Sequence, residues 1–339
     1  MTSHDFKDGK ISGCRILVTA TTFGMRDPSL RKALEDAVEE VRYNPLGRPL
    51  NGSELQGMVR DIDGIIAGVD EIGAEVLEAA PRLKVISRYG VGVDGIDIEA
   101  ATKKGIVVTN TPGANSSAVA ELTIGLVIAL ARRICEASSS TRNGLWPRMV
   151  GIGLKGKTVG LVGLGRIGKE VARRLRAFEC RVLAFDPAVS EEEAREVGAT
   201  KTELSELLSE SDIVSLHVPL LPSTRDMVNE EFIRLMKKDA FLVNTARGEL
   251  VDEEALHRAL REGRLAGAAL DCMRQEPPPK AHPLLEMKEV LVTPHMGAHT
   301  DEAMSVMGWM ALRACLAVLK GQRPENVVNE EVYQCREGL

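Results

Sequence analysis

An α/β fold built on parallel sheets is what this sequence predicts, and three observations predict it. Short β-branched runs alternate with amphipathic segments along most of the 339 residues. A G-x-G-x-x-G turn sits between one such run and a helical pattern. Two turn clusters containing Pro and Gly, at 110–113 and 294–299, bracket the block that carries this turn. At roughly 100–200 residues per domain, the length suits two domains.

Strand-like runs fall at 15–19, 64–67, 84–87 and 106–109, all before the first turn cluster. A long apolar helix is expected from about Ser116 to Arg133. Runs at 158–163, 181–186, 213–218, 241–244, 268–270 and 290–293 follow, alternating with helical patterns such as 252–261. Asp252 is the N-cap candidate of that helix. A last long helix is expected over 301–320. The strands ahead of the first cluster carry no nucleotide fingerprint. The sequence therefore predicts an inserted domain, 113–298, within a domain made from both chain ends, 1–112 and 299–339. The two crossings would form a hinge.

Composition excludes several function classes. With 43 Lys+Arg against 49 Asp+Glu, the net charge of −6 offers no electrostatic footprint for nucleic acid or an anionic membrane. At 3% aromatic, a platform for stacked bases is not expected. No run reaches 18 uninterrupted apolar residues, and the best candidate, 122–131, reads as a buried helix. The polar first ten residues lack the apolar core of a signal peptide. Six cysteines, at 14, 135, 180, 272, 315 and 335, form no C-x-x-C and no close pair. No metal or disulfide framework is expected from them, and a reducing cytoplasm is.

The fingerprint is Gly163-Leu-Gly165-Arg166-Ile167-Gly168. Gly163 suits the tight turn, Gly165 lets backbone approach a pyrophosphate, and Gly168 lets the helix pack close to the sheet. The helix N-terminus attracts phosphate. A second run then ends in Asp186, eighteen residues past Gly168, placed to accept from ribose hydroxyls. The following 187–190 offers no Lys or Arg for a 2′-phosphate, so NAD is expected over NADP.

Three further groups lie at the ends of successive strand runs in the same block: Arg247, Glu276 and His295. In open α/β sheets, ligands collect beyond the carboxyl ends of strands. Hydride transfer from a carbinol carbon needs a base for the hydroxyl proton, which histidine supplies near neutral pH. A carboxylate beside the imidazole fixes its tautomer, and an arginine fork holds a substrate carboxylate by paired bonds.

These residues resemble the D-isomer-specific 2-hydroxyacid dehydrogenases, their phosphoglycerate-dehydrogenase-like branch in particular. The resemblance runs from the first strand to 324–329. It includes Arg88-Tyr-Gly-Val-Gly-Val-Asp94, Asn110-Thr-Pro-Gly-Ala-Asn115, His217-Val-Pro219, Thr224-Arg225, 244–248, Glu276-Pro277-Pro278 and Thr293-Pro294-His295. It implies that His295 is the general acid/base, Glu276 its partner and Arg247 the substrate clamp. It implies NAD contacts at Arg166, Ile167, Asp186, His217, Pro219, Thr245 and Asp271, with substrate near Arg88, Val91 and Gly92. For His217, a packed strand histidine is an equal alternative. The fold expected is two Rossmann-like parallel-sheet domains, the NAD domain inserted within a flavodoxin-like substrate domain. The partners expected are a small 2-hydroxy or 2-oxo acid and a second copy of the chain, with the helix from Ser116 as the candidate interface.

Two departures bear on the substrate. Many phosphoglycerate dehydrogenases carry a Val-Arg-Ser-like turn where this chain has Gly68-Val69-Asp70, and some carry a long regulatory extension. The substrate expected is a D-2-hydroxy acid, 3-phosphoglycerate the leading candidate. A glyoxylate or hydroxypyruvate reductase is the close alternative. A dinucleotide-sensing protein of co-repressor type is the distant one.

Overall fold

The computed structural model describes residues 10–336. The chain divides into two compact units, one reaching Asn115 and resuming at His299, the other Ser116–Ala298. The sequence sets the first boundary at 112/113. Residues 113–115 stay with the first unit because the turn after its last strand folds back: Thr111 N–H donates to Gly90 O (2.9 Å) and Ala114 N–H to Thr111 O (3.4 Å).

The first unit holds β1 (Ile11–Val18), β2 (Val38–Tyr43), β3 (Gly64–Ala67), β4 (Val85–Arg88) and β5 (Val107–Thr109). They form one parallel sheet in the order β2-β1-β3-β4-β5, the flavodoxin-like winding. The sequence misses β2. Its Val-Glu-Glu-Val-Arg-Tyr follows the helix Pro28–Ala37 directly and carries charge, as an edge strand does. Helix Asp301–Leu319 packs across β3, β4 and β5. Ser87 Oγ donates to Ala311 O (2.8 Å) and Tyr89 OH to Met304 O (3.0 Å). At 19 residues this helix is long and apolar enough to cross a membrane by length and composition, yet over half of it is buried within the unit. The sequence singles out 122–131 instead, because Asp301, Glu302 and Arg313 interrupt the longer run.

The second unit holds β6 (Thr158–Val162), β7 (Arg181–Phe185), β8 (Thr200–Lys201), β9 (Ile213–Leu216), β10 (Ala240–Asn244), β11 (Leu265–Leu270) and β12 (Val290–Val292). They are parallel, in the order β12-β11-β10-β9-β6-β7-β8. The strand order reverses between β6 and β9, where a doubly wound sheet opens a crevice at its carboxyl ends. Both sheet faces are covered. Leu207, Val214, Leu242 and Leu256 line one apolar layer, and Val127, Leu161, Val171 and Leu175 the other. Each such side chain, fully buried, contributes roughly 1.5–3 kcal/mol.

The helix expected over 116–133 is two helices, Ser116–Ala131 and Ile134–Arg142. Arg133 breaks them apart with a left-handed backbone, φ 54°. The segment that follows leaves Ile134, Leu145, Trp146 and Val150 exposed, Trp146 at 85%.

Candidate active site

The glycine turn behaves as its residue types require. Gly163 has φ 99°, and a Cβ there would stand 2.7 Å from the carbonyl of His217, just past the end of the neighbouring β9. A Cβ on Gly168 would stand 2.3 Å from Gly163 O, so the helix Arg166–Ala177 is held close against the turn. Gly165 has open space where its Cβ would be, and it caps that helix with no side-chain hydrogen bond. An uncapped, twelve-residue helix N-terminus beside an open glycine is a cradle for phosphate. Arg166 is exposed at its mouth and Ile167 half-buried behind it.

Asp186 closes this turn from β7. Its Oδ2 accepts from Leu164 N–H (2.8 Å) and its Oδ1 from Ala188 N–H (2.9 Å). Each carboxylate oxygen takes two bonds, so one further acceptor site remains on each for ribose hydroxyls. Across the turn, His217 shares a bond between Nε2 and Ser215 Oγ (3.0 Å), while its buried Nδ1 has no partner among the described residues. Burial pushes the His217 pKa down to about 4. The ring packs at the end of β9 with one polar atom unsatisfied beside the cradle. The orphaned nitrogen, the open glycine and the uncapped helix end all fit a bound dinucleotide. Pro219, on the same loop, is exposed and takes Thr224 Oγ1 on its carbonyl (2.7 Å).

The second cluster sits where β10, β11 and β12 end. Asn244 is buried and knots the loop after β10: Nδ2 donates to Arg247 O (2.7 Å) and Oδ1 accepts from Ala246 N–H (3.0 Å). Arg247 is half-buried, with one guanidinium nitrogen on Ala246 O (2.7 Å). Thr245 Oγ1 pairs with Thr123 Oγ1 (2.9 Å). Gly248 packs so tightly on the next loop that a Cβ would lie 2.0 Å from Met273 C. That contact sets the arginine loop against the loop carrying Glu276.

Glu276 is held at both oxygens. Oε1 accepts from Met273 N–H (3.1 Å), and Oε2 meets His295 Nδ1 at 2.8 Å. A carboxylate there takes a proton-bearing Nδ1, which leaves Nε2 outside that pair. His295 itself has φ 49°, a left-handed backbone that costs a non-glycine residue about 1–2 kcal/mol. Asp271, 2% exposed, accepts from Thr293 Oγ1 (2.6 Å), Met296 N–H (2.9 Å) and Gly297 N–H (2.8 Å). The Asp271 carboxylate is buried and engaged by the histidine loop. Sequence offers no signal for the Thr293–Asp271 contact, since only strand adjacency joins residues 22 apart.

In the first unit, Arg88 ends β4. Its Nε donates to Gly92 O (2.9 Å) and one terminal nitrogen to Tyr89 O (2.6 Å) and Ala67 O (3.3 Å). Asn110 Nδ2 donates to Val91 O (2.8 Å). The carbonyls of 89–92 are thus tied down, while no backbone carbonyl among the described residues takes the N–H of Val91 or Gly92. Asp70 is buried, accepting from Leu50 N–H (2.8 Å) and the Thr19 hydroxyl. No group of three or more potential metal ligands occurs among the described residues.

Residues 124–297 match the model of the D-isomer specific 2-hydroxyacid dehydrogenase NAD binding domain. The chain is 47% identical to the glyoxylate reductase of Thermofilum pendens, over 89% of this chain and 92% of that one. It is 45% identical to the D-3-phosphoglycerate dehydrogenase of Methanocaldococcus jannaschii, over 87% of this chain and 57% of that longer one. Among solved structures, the TT0316 protein from Thermus thermophilus superposes with a TM-score of 0.83 at 43% identity, covering 93% of this chain and 99% of that one.

Proposed function

Because the chain belongs to the D-isomer-specific 2-hydroxyacid dehydrogenase family, we propose that it reduces small, singly charged 2-oxo acids of the glyoxylate and hydroxypyruvate kind. The cofactor is NAD, which supplies or accepts the hydride when bound. Gly163, Gly165, Gly168, Arg166 and Ile167 would hold its phosphates, Asp186 its ribose, with His217, Pro219 and Thr245 alongside.

One observation carries the substrate. The Arg88 guanidinium holds three backbone carbonyls, so its donors shape the loop instead of reaching for a second anion. The loops 68–73, 89–97 and 110–115 contain no other lysine or arginine, and Asp70 adds a buried carboxylate to the first of them. A phosphorylated substrate would meet no compensating charge there. The N–H groups of Val91 and Gly92 suffice for one carboxylate, and the Arg247 fork is the carboxylate clamp of its own unit. His295 Nε2 delivers the proton to the carbonyl oxygen during reduction and takes it back during oxidation. Glu276 holds the ring through Nδ1.

A second reading, oxidation of 3-phosphoglycerate, is favoured by the 45% identity to the Methanocaldococcus jannaschii enzyme. Initial rates with NADH and glyoxylate, hydroxypyruvate or phosphohydroxypyruvate separate the two. The expected order places phosphohydroxypyruvate last by at least about tenfold in kcat/KM, one good hydrogen-bonded charge pair being worth that much. Phosphohydroxypyruvate as the best substrate would overturn the proposal. A homodimer would cover the exposed apolar side chains Ile134, Leu145, Trp146 and Val150, which sedimentation tests. The five cysteines with described side chains are free thiols, which suits a reducing cytoplasm.

A further inference from the structure

We infer that Glu253 is a positioning residue for the Glu276–His295 pair, acting on it through the Arg274 amide from the first turn of helix Glu253–Arg261. This rests on the reading of His295 as the group that carries the proton.

The segment that carries Glu276 is poorly anchored by its own backbone. Residues 272–278 form no helix or strand, and among the described residues they make no backbone–backbone hydrogen bond. The bond from Met273 N–H to Glu276 Oε1 (3.1 Å) lies within the segment, so it moves with it. Ties from outside must therefore set where Glu276 stands. Gly248 packs on the peptide that joins Met273 to Arg274, where a Cβ would stand 2.0 Å from Met273 C and 2.4 Å from Arg274 N. The N–H of Arg274 donates to Glu253 Oε1 at 2.8 Å. The Arg274 guanidinium adds bonds to Val251 O (3.0 Å) and to the Asp226 carboxylate.

Glu253 is itself held still. Its helix starts on the Asp252 cap, and a carboxylate in the first turn suits the positive end of the helix. Its other oxygen meets His282 Nε2 at 3.1 Å. Leu284 N–H donates to His282 Nδ1 (3.3 Å), so the ring hydrogen stands on Nε2 and goes to Glu253. Two carboxylate–histidine pairs thus hold consecutive amides, Glu276 with His295 at 273 and Glu253 with His282 at 274. The side chains of the first pair are 34% and 37% exposed, those of the second 15% and 16%. The outer pair faces solvent, while the inner one is sunk and anchors the segment. Without the inner tie the Arg274 amide turns, Met273 turns with it, and Glu276 shifts against the ring. A misplacement of about 1 Å can cost on the order of 10²-fold in rate.

The test uses Glu253→Met, which keeps the length of the stem and offers no oxygen, and Glu253→Gln, which keeps one acceptor for the amide. Turnover and KM with glyoxylate are read beside NADH affinity by fluorescence titration. For Glu253→Met, kcat should fall about tenfold with KM and NADH affinity within about twofold, as when an interaction made only in the transition state is lost. Glu253→Gln should recover turnover to within about threefold of the unmutated enzyme, one oxygen sufficing for one N–H. In a Glu276→Gln background, adding Glu253→Met should cost less than about twofold more, because residues that act as a unit are not additive. Unchanged turnover in Glu253→Met overturns the inference, as does a Glu253→Met enzyme whose main defect is lost NADH affinity. A Glu253→Gln enzyme as slow as Glu253→Met, or the full Glu253→Met loss repeated in the Glu276→Gln background, overturns it as well. His295→Asn is the control. Loss of turnover there beside an unaffected Glu253→Met sinks this inference alone, whereas retained turnover in His295→Asn sinks the proton-transfer reading and this inference with it.

Discussion

The loop after β4 in the first unit and the loops after β10, β11 and β12 in the second stand at the same place in their sheets, yet use charge in opposite ways. After β4, the single cation is turned inward onto carbonyls, and what the loop offers is backbone N–H. After β11 and β12, carboxylates are turned onto backbone N–H and onto a ring, and what the loops offer is a titratable nitrogen. A recognition loop can leave its chemistry to the main chain, because one carboxylate needs only donors. A proton-transfer loop cannot, so its side chains must be held by others.

Changes on the two sides should therefore fail differently. The largest effect is expected at the histidine. His295→Ala should lower kcat by roughly 10²–10⁴-fold, the range for positioned acid–base groups, while NADH titration stays near normal. Near-normal turnover in a folded variant would remove the contrast altogether. Next comes cofactor choice, which the proposal gives to Asp186. Like-charge repulsion and lost hydrogen bonds should give NADH about 10²-fold higher kcat/KM than NADPH, charge-assisted bonds being worth about 1.5–3 kcal/mol each. Asp186→Ala should narrow that ratio; equal values in the unmutated enzyme would show that the carboxylate does not meet the ribose.

Arg247→Lys keeps the charge and loses the fork, so kcat should fall and KM rise together, about 10–100-fold in kcat/KM. On the recognition side, Arg88→Met should raise KM for every 2-oxo acid by about tenfold with kcat little changed, as loss of uniform binding does. A defect confined to phosphohydroxypyruvate would instead make Arg88 an anion clamp and erase the difference between the two loops.

The smallest effect concerns His217 and pH. Its pKa is lowered from 6.5 to about 4 by burial, so below 6.5 the unfolded chain takes up a proton that the native ring refuses. The stability this neutral ring allows is whole above pH 6.5 and is lost as pH falls from 6.5 toward 4. His217→Asn should flatten the decline of Tm over that window, read by thermal unfolding at successive pH values. An unchanged slope would mean that the ring is solvated.

What the sequence determined by itself was period and punctuation. β6, the glycine turn, the helix Arg166–Ala177 and Asp186 were legible because their spacing is local: each residue acts within one βαβ unit. Arg247, Glu276 and His295 were legible as three strand ends, since parallel winding sends successive carboxyl ends to one side. What only the tertiary structure decided was which donor meets which acceptor. The sequence places substrate near Arg88 through the resemblance, and its carbonyl partners appear only when the loop closes on it. β2 hides behind its charges because an edge strand needs one buried side. The bonds of Asp271 to Thr293, Met296 and Gly297 join residues more than twenty apart. Periodicity cannot carry that information, because it depends on the register between β11 and β12, which packing sets.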